Sequence, residues 1–300
     1  MPEFPLSRRR ALGTAAAAAL APTVVGLSEA RAASPARGTG GEDELHVMSF
    51  NLRYASATPP NSWPERRPVM RALLRTEEPH LVGTQEGLYP QLLDIAADLG
   101  RNHAWIGTGR QGGSKDEFMA VFYDVRRLAP VAFDHYWLSD EPYLIGSNTW
   151  GNAVLRMVTW VRFRDLATGG DFYHVNTHLD HVNQQARERS ADLITTRFAE
   201  FDAALPRVVT GDFNVPAHAN PVYEAMLAGG GLADTWDAAE RRSDAYATFH
   251  GYRPLVPDGD RIDWILVTPG VRTRYAKINT YAREGQFPSD HLPVQAFLRL

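Results

Sequence analysis

The sequence predicts an α/β domain spanning residues 44–300. Three observations carry this: strand-like apolar runs alternate with helical stretches, no shift in composition divides the span, and 44% hydrophobic with 22% charged residues suits one large core. The 24 glycines and 20 prolines among 300 residues supply many loops between elements. The absence of cysteine excludes disulfide scaffolds, zinc–thiolate centres, iron–sulfur clusters and thiol nucleophiles.

The elements follow in chain order. Leu45 to Phe50 alternates apolar and polar residues, the period of a strand. Pro68 to Arg75 reads as a helix ended by Pro79, and Leu81 to Thr84 as a short strand. Pro90 to Leu99 is a helix closed by Gly100. Phe118 to Tyr123, Arg156 to Phe163 and Phe172 to Thr177 are rich in Val, Phe, Tyr and Trp and read as strands. Between them, Tyr143 to Gly146 near Trp150 reads as a packed loop, the alternative being an exposed apolar element that enters lipid. Ala186, Ser190, Leu193, Ile194, Arg197 and Phe201 recur at helical spacing. Arg207 to Thr210, Ile262 to Val267 and Leu292 to Leu298 complete the strands.

The first residues have a different character. Arg8-Arg9-Arg10 precedes a mild alanine-rich run to Leu27, then Ala30-Arg31-Ala32. This is the pattern of a twin-arginine export signal over residues 1–32, so the protein is expected outside the cytoplasm, on the periplasmic, cell-wall or extracellular side. Residues 33–43 read as a flexible tether. Cleavage after Ala32 removes four arginines and two glutamates, leaving a chain more acidic than the full-length formal charge of −4. Such a balance argues against a long basic groove for nucleic acid.

Polar residues collect where the strands end. The strand from residue 45 runs into Asn51, the one from 81 into Gln85 and Glu86, the one from 172 into His178, and the one from 207 into Asp212 and Asn214. Asp263 opens a strand, and Asp290 and His291 precede the last. Taken singly, Gly211 to Asn214 is a turn, Glu86 a helix cap before Gly87, and His178 a structural histidine. Together they offer carboxylates, amides and imidazoles on one rim.

These phrases carry a resemblance. Met48-Ser49-Phe50-Asn51-Leu52-Arg53, Gln85-Glu86, Asn176-Thr177-His178-Leu179, Gly211-Asp212-Phe213-Asn214, Arg261-Ile262-Asp263-Trp264 and Ser289-Asp290-His291, in this order, resemble the endonuclease/exonuclease/phosphatase superfamily. The resemblance implies a four-layered α/β sandwich, two mixed sheets face to face with helices outside. It implies metal ligands Glu86, Asn51 and Asp290, and Asp212 with Asn214 beside the scissile phosphate. It pairs His178 with His291, oriented by Glu117 and Asp263 respectively, and places Arg156 and Arg53 on the phosphate. Arg53 stands where some relatives carry a further metal aspartate, so a single ion is expected.

The residue chemistry agrees. Carboxylate and amide oxygens favour a hard cation, Mg²⁺ with Mn²⁺ or Ca²⁺ as substitutes. A protonated His178 and Asn214 would donate to the developing charge, and either Asp212 or His291 would accept a proton from water. The expected activity is phosphodiester hydrolysis of a nuclease-like kind. A sphingomyelinase-like phospholipase C or a small-molecule (sugar or nucleotide) phosphatase is the alternative on the same site. Arg110, Arg126 and Arg127 are further phosphate contacts for a polymer, and Tyr54, Trp63, Trp150 and Tyr252 are candidate stacking rings. His178-Leu179-Asp180-His181 also resembles half of a zinc β-lactamase motif, but Asn176 stands where its first histidine belongs. A glycosidase would leave the histidines and asparagines unexplained, and a non-catalytic binding module would not need them intact. The expected partner is the phosphoester alone, with no stable protein partner and a monomeric state.

Overall fold

The computed structural model describes residues 43–300; the segment expected to be an export signal, and all but the last residue of the expected tether, lie outside them. Two mixed sheets dominate. The seven-stranded sheet runs Arg241–Arg242, Arg272–Ile278, Val294–Arg299, Leu45–Asn51, Leu81–Gln85, Val121–Asp124, His103–Ile106. The six-stranded sheet runs Ala233–Asp234, Asp263–Val267, Arg207–Asp212, Asp171–His178, Met157–Asp165, Leu128–Trp137.

Alternating side chains build the layers. Leu45 and Val47 point to an inner core with Val161, Phe163, Val208, Ile265 and Val294, drawn from both sheets. Met48 and Phe50 point the other way, onto Met70 and Leu73 of the helix Trp63–Glu77 and Leu92 and Ile95 of the helix Tyr89–Leu99. On the far side, Val175, Val209 and Leu266 meet Ala191 and Ile194 of the helix Gln184–Arg197. The result is helix, sheet, sheet, helix, as the resemblance implied. Strand Leu45–Asn51 is therefore buried at every residue rather than at every second one.

Several boundaries differ from expectation for local reasons. The first helix starts at Trp63, where the Glu65 carboxylate accepts the Ser62 backbone N–H at 2.8 Å, and it carries Pro68 inside. Phe118 to Tyr123 is broken: Glu117–Phe118 pairs with Gly87–Leu88 in a separate ribbon, and Val121–Asp124 joins the sheet. Strands His103–Ile106, Leu128–Trp137 and Arg272–Ile278 carry too many polar or exposed residues to stand out as runs. Tyr143, Leu144 and Ile145 are exposed rather than packed.

Toward one end the inner layer turns polar. Buried Asn176 donates to Thr84 and Ala120 carbonyls across the gap, at 2.8 and 3.1 Å. Its oxygen accepts from Gln85 and Thr210 at 2.8 and 3.1 Å, so the amide is fully satisfied while joining the two sheets. Gly83 permits this approach: a Cβ there would fall on Thr210 Oγ1 and lie 2.7 Å from Asn176 Oδ1.

Candidate active site

Strand register assembles the site directly above this polar layer. In the six-stranded sheet Asp212 stands opposite both His178 and Asp263, so three neighbouring strands deliver three functional groups at one level. In the other sheet Asn51 stands opposite Gln85, one residue before Glu86. Arg53, Glu86 and Asn214 all have positive φ (53°, 62° and 55°), so the chain turns sharply at each strand end to aim these side chains. Glu86 is consequently not a helix cap; the helix behind it begins at Tyr89 after Leu88.

The acidic centre is tightly connected. Asn51 Nδ2 donates to Glu86 Oε1 at 3.0 Å and to Asp212 Oδ2 at 2.9 Å. Its Oδ1 accepts the Arg53 N–H at 2.9 Å, and Glu86 Oε2 accepts the Tyr54 N–H at 3.2 Å. Ligand atoms of Glu86, Asp212 and His291 lie within 4.8 Å of one another. The carboxylates of half-buried Glu86 and buried Asp212 face each other and, as oxygen donors, fit a hard divalent ion. Asp290 lines the same cavity but faces Arg53, 3.7 Å from its Nε.

The two histidines sit on either side of Asp212 and differ in charge. His291 Nδ1 meets Asp263 Oδ2 at 2.9 Å, and its Nε2 lies 3.7 Å from Asp212. Burial opposes the imidazolium, but Asp263 and then Asp212 outweigh it and raise His291 to about 10. Asp212 moves upward too, through burial and the Asp263 charge. For Glu86 burial is outweighed by His291, the Asn51 amide and the Tyr54 N–H, which hold its carboxyl below the ordinary range.

His178 corrects two expectations. Glu117 does not orient it; Arg110 stands between them, with Nη1 2.8 Å from Glu117 and Nη2 3.3 Å from His178 Nδ1. The reason is local: Arg110 lies directly across a backbone pairing from Glu117 and, being buried, needs its carboxylate. His178 Nε2 lies 2.9 Å from Asn214 Nδ2 and 3.3 Å from Asp212. Burial, Arg156 and Arg110 push this ring well below the ordinary imidazole range, so it is neutral rather than protonated. Glu117 itself is raised by burial.

Arg156 lines the cavity, buried, with Nη2 3.0 Å from His181 Nδ1 and Nε 3.8 Å from Asp180. Its Nε and Nη1 have no hydrogen-bond partner among the described residues. Asp180 is no metal ligand: its oxygens accept the Ala153, Val182 and Asn183 N–H groups. Arg126 and Arg127 are engaged elsewhere, with Asp124 and Asp165. Of the four candidate stacking rings, Tyr54 lines the cavity; Trp63 is buried with its Nε1 on Asp94.

A model of the endonuclease/exonuclease/phosphatase family matches residues 48–291. The chain belongs to that family. An endonuclease/exonuclease/phosphatase structure from Bacteroides vulgatus is 34% identical, with 86% of this chain and 99% of that one covered at a TM-score of 0.81. A mannosyl-6-phosphatase from Bacteroides thetaiotaomicron is 31% identical over 85% of this chain and 100% of that one, with a TM-score of 0.79. The D. rerio TDP2 complex with a single-strand DNA product is 15% identical over 86% and 99% of the two chains, with a TM-score of 0.65, and shares the fold. No curated protein matches the chain. As a member of this family the chain is a phosphoesterase-type hydrolase. Family phrases pointed to both histidines and the carboxylates; Arg110, expected as a phosphate contact, does line the cavity, whereas the cavity residue Phe249 carries no signal beyond its type.

Proposed function

We propose that the protein is a divalent-metal-dependent phosphatase of small phosphorylated molecules, sugar phosphates foremost. The carrying observation is the cavity, about 340 Å³, a size for one small ligand. Arg53, Arg110 and Arg156 line it, cations that suit an anionic phosphate group. The likeness to the mannosyl-6-phosphatase supports the same class.

Glu86 and Asp212 would hold the ion, with Asp290 beside them; Asn51, expected as a ligand, instead turns its N–H groups onto both carboxylates. When bound, Mg²⁺ or Mn²⁺ supplies Lewis-acid polarisation of a phosphoryl oxygen. Arg156, whose side chain lines the cavity, contacts the phosphate, and Asn214 Nδ2 and neutral His178 line its path. Asp212 and His291 are adjacent, whereas attacking and leaving oxygens lie on opposite sides of phosphorus. We therefore assign both to the water side. Asp212 takes the water proton, while His291, beside it, stabilises the oxygens. Water forms the new P–O bond, the ester P–O bond breaks, and the alcohol takes its proton from solvent.

The test is a panel with Mg²⁺ or Mn²⁺: mannose 6-phosphate and other sugar phosphates, bis-p-nitrophenyl phosphate, DNA, RNA and sphingomyelin. Sugar phosphates should exceed every diester in kcat/KM, EDTA should abolish turnover, and Asp212→Asn should lower kcat by about 10²–10⁴-fold. Turnover that survives EDTA, or a preference for DNA, would sink this reading. The leader supports a further proposal, export of the folded enzyme, which Arg9→Lys with Arg10→Lys should block in a cell-fractionation assay.

A further inference from the structure

Arg66, on the helix Trp63–Glu77, is a fully buried cation whose hydrogen bonds all go to backbone carbonyls. Nε donates to Asn61 at 2.9 Å. Nη1 donates to Leu52 at 2.8 Å and Pro288 at 2.9 Å, and Nη2 to Arg53 at 2.9 Å and Tyr54 at 3.0 Å. A guanidinium has five N–H groups in a rigid fork, and here each is used.

These carbonyls belong to two loops. Four lie on the segment that leaves strand Leu45–Asn51, which carries Arg53 and the Tyr54 N–H that holds Glu86. The fifth, on Pro288, is two residues before Asp290, and neighbouring Ser289 Oγ donates to the Asn51 carbonyl at 2.7 Å. A buried cation without a carboxylate is expensive, and a core helix would be served as well by an apolar side chain. Five charge-assisted bonds offset that cost only while both loops keep their places.

We propose that Arg66 is a positioning residue: its guanidinium sets the spacing between the Asn51–Tyr54 segment and the Asp290 loop, and through it the ion-binding pocket. This rests on the metal-dependent reading above. Lysine, with three donors on one nitrogen, cannot span the five carbonyls.

The experiment titrates the metal-free full-length chain with Mn²⁺ by calorimetry at 10 °C and measures kcat and KM for sugar phosphate at saturating Mn²⁺. Wild type is compared with Arg66→Lys and with Val161→Ala, a substitution in the inner core remote from the cavity. Arg66→Lys should weaken Mn²⁺ binding at least tenfold and lower kcat at least tenfold. Val161→Ala should lower Tm and leave both unchanged. An Arg66→Lys protein with lowered Tm but wild-type Mn²⁺ affinity and kcat overturns the proposal. If Arg66→Lys is unfolded at 10 °C by near-UV circular dichroism, Gln91→Met replaces it, since Gln91 Nε2 is a second donor to the Arg53 carbonyl, at 3.0 Å. Weakened Mn²⁺ binding there supports the role of this loop, and unchanged affinity overturns it. A wild type that binds Mn²⁺ but spares sugar phosphates refutes the proposed substrate and leaves the Mn²⁺ comparison readable; one that binds no Mn²⁺ overturns both.

Discussion

Asp263 and Arg110 place opposite demands on two imidazoles that share one aspartate. Asp263 accepts from His291 and keeps it charged, whereas burial, Arg156 and Arg110, which can only donate toward His178, keep that ring neutral. In the metal-free protein, NMR should show His178 uncharged at pH 5 and His291 charged at neutral pH, losing its proton near pH 10. Because the folded-state value of His291 is raised, its stabilising contribution is full below pH 6.5 and fades as pH climbs through about 10. Asp263→Asn removes the main raising charge. The His291 transition should then move to lower pH, and the alkaline stability limb with it; an unmoved transition would contradict the assignment. Asp212, raised by burial, is the reverse case: Asp212→Asn should raise the Tm of the metal-free protein at pH 8 by about 2–4 °C while reducing turnover.

Strands Leu81–Gln85 and Asp171–His178 show how elements from different sheets are locked in register beneath the site. Asn176 bridges the gap with its whole amide, and Gly83 leaves the space for it. Thr210 is β-branched on a buried strand and cannot move aside. Gly83→Ala should therefore cost about 1–3 kcal/mol by overpacking, read as a lower urea midpoint, and should reduce kcat through a displaced Glu86 three residues on. Wild-type stability in Gly83→Ala would show that the sheets can part without harm.

The molecule as a whole gathers like charges that folding alone would keep apart. Glu86, Asp212, Asp263 and Asp290 converge from both sheets at one end, and only part of this charge is matched by Arg53 and His291. Mn²⁺ at 100 times its dissociation constant should stabilise the native state by about 2.7 kcal/mol, roughly 5–10 °C in Tm for a domain of this size. Asp212→Asn should lose most of that gain; a Tm indifferent to Mn²⁺ and EDTA would remove the ion from the account. The small cavity, with an acidic overall balance, should also leave turnover of a sugar phosphate far less sensitive to salt than binding of a polyanion would be.

Much of this was readable from the chain. Apolar, β-branched runs located the central strands because both faces of each sheet are covered, and the phrases around Glu86, Asp212 and His291 located the rim. Strands such as Leu128–Trp137 were hidden because an edge strand with exposed residues has no apolar run to betray it. By itself the sequence determined the kinds of group available and the strand ends that carry them, since periodicity and turn chemistry are local. Only the tertiary structure decided which group faces which: that Arg110 stands between Glu117 and His178, that Arg66 ties two loops, that one histidine is charged and the other neutral. Those outcomes depend on burial and on neighbours far apart in the chain, and neither is written in local order.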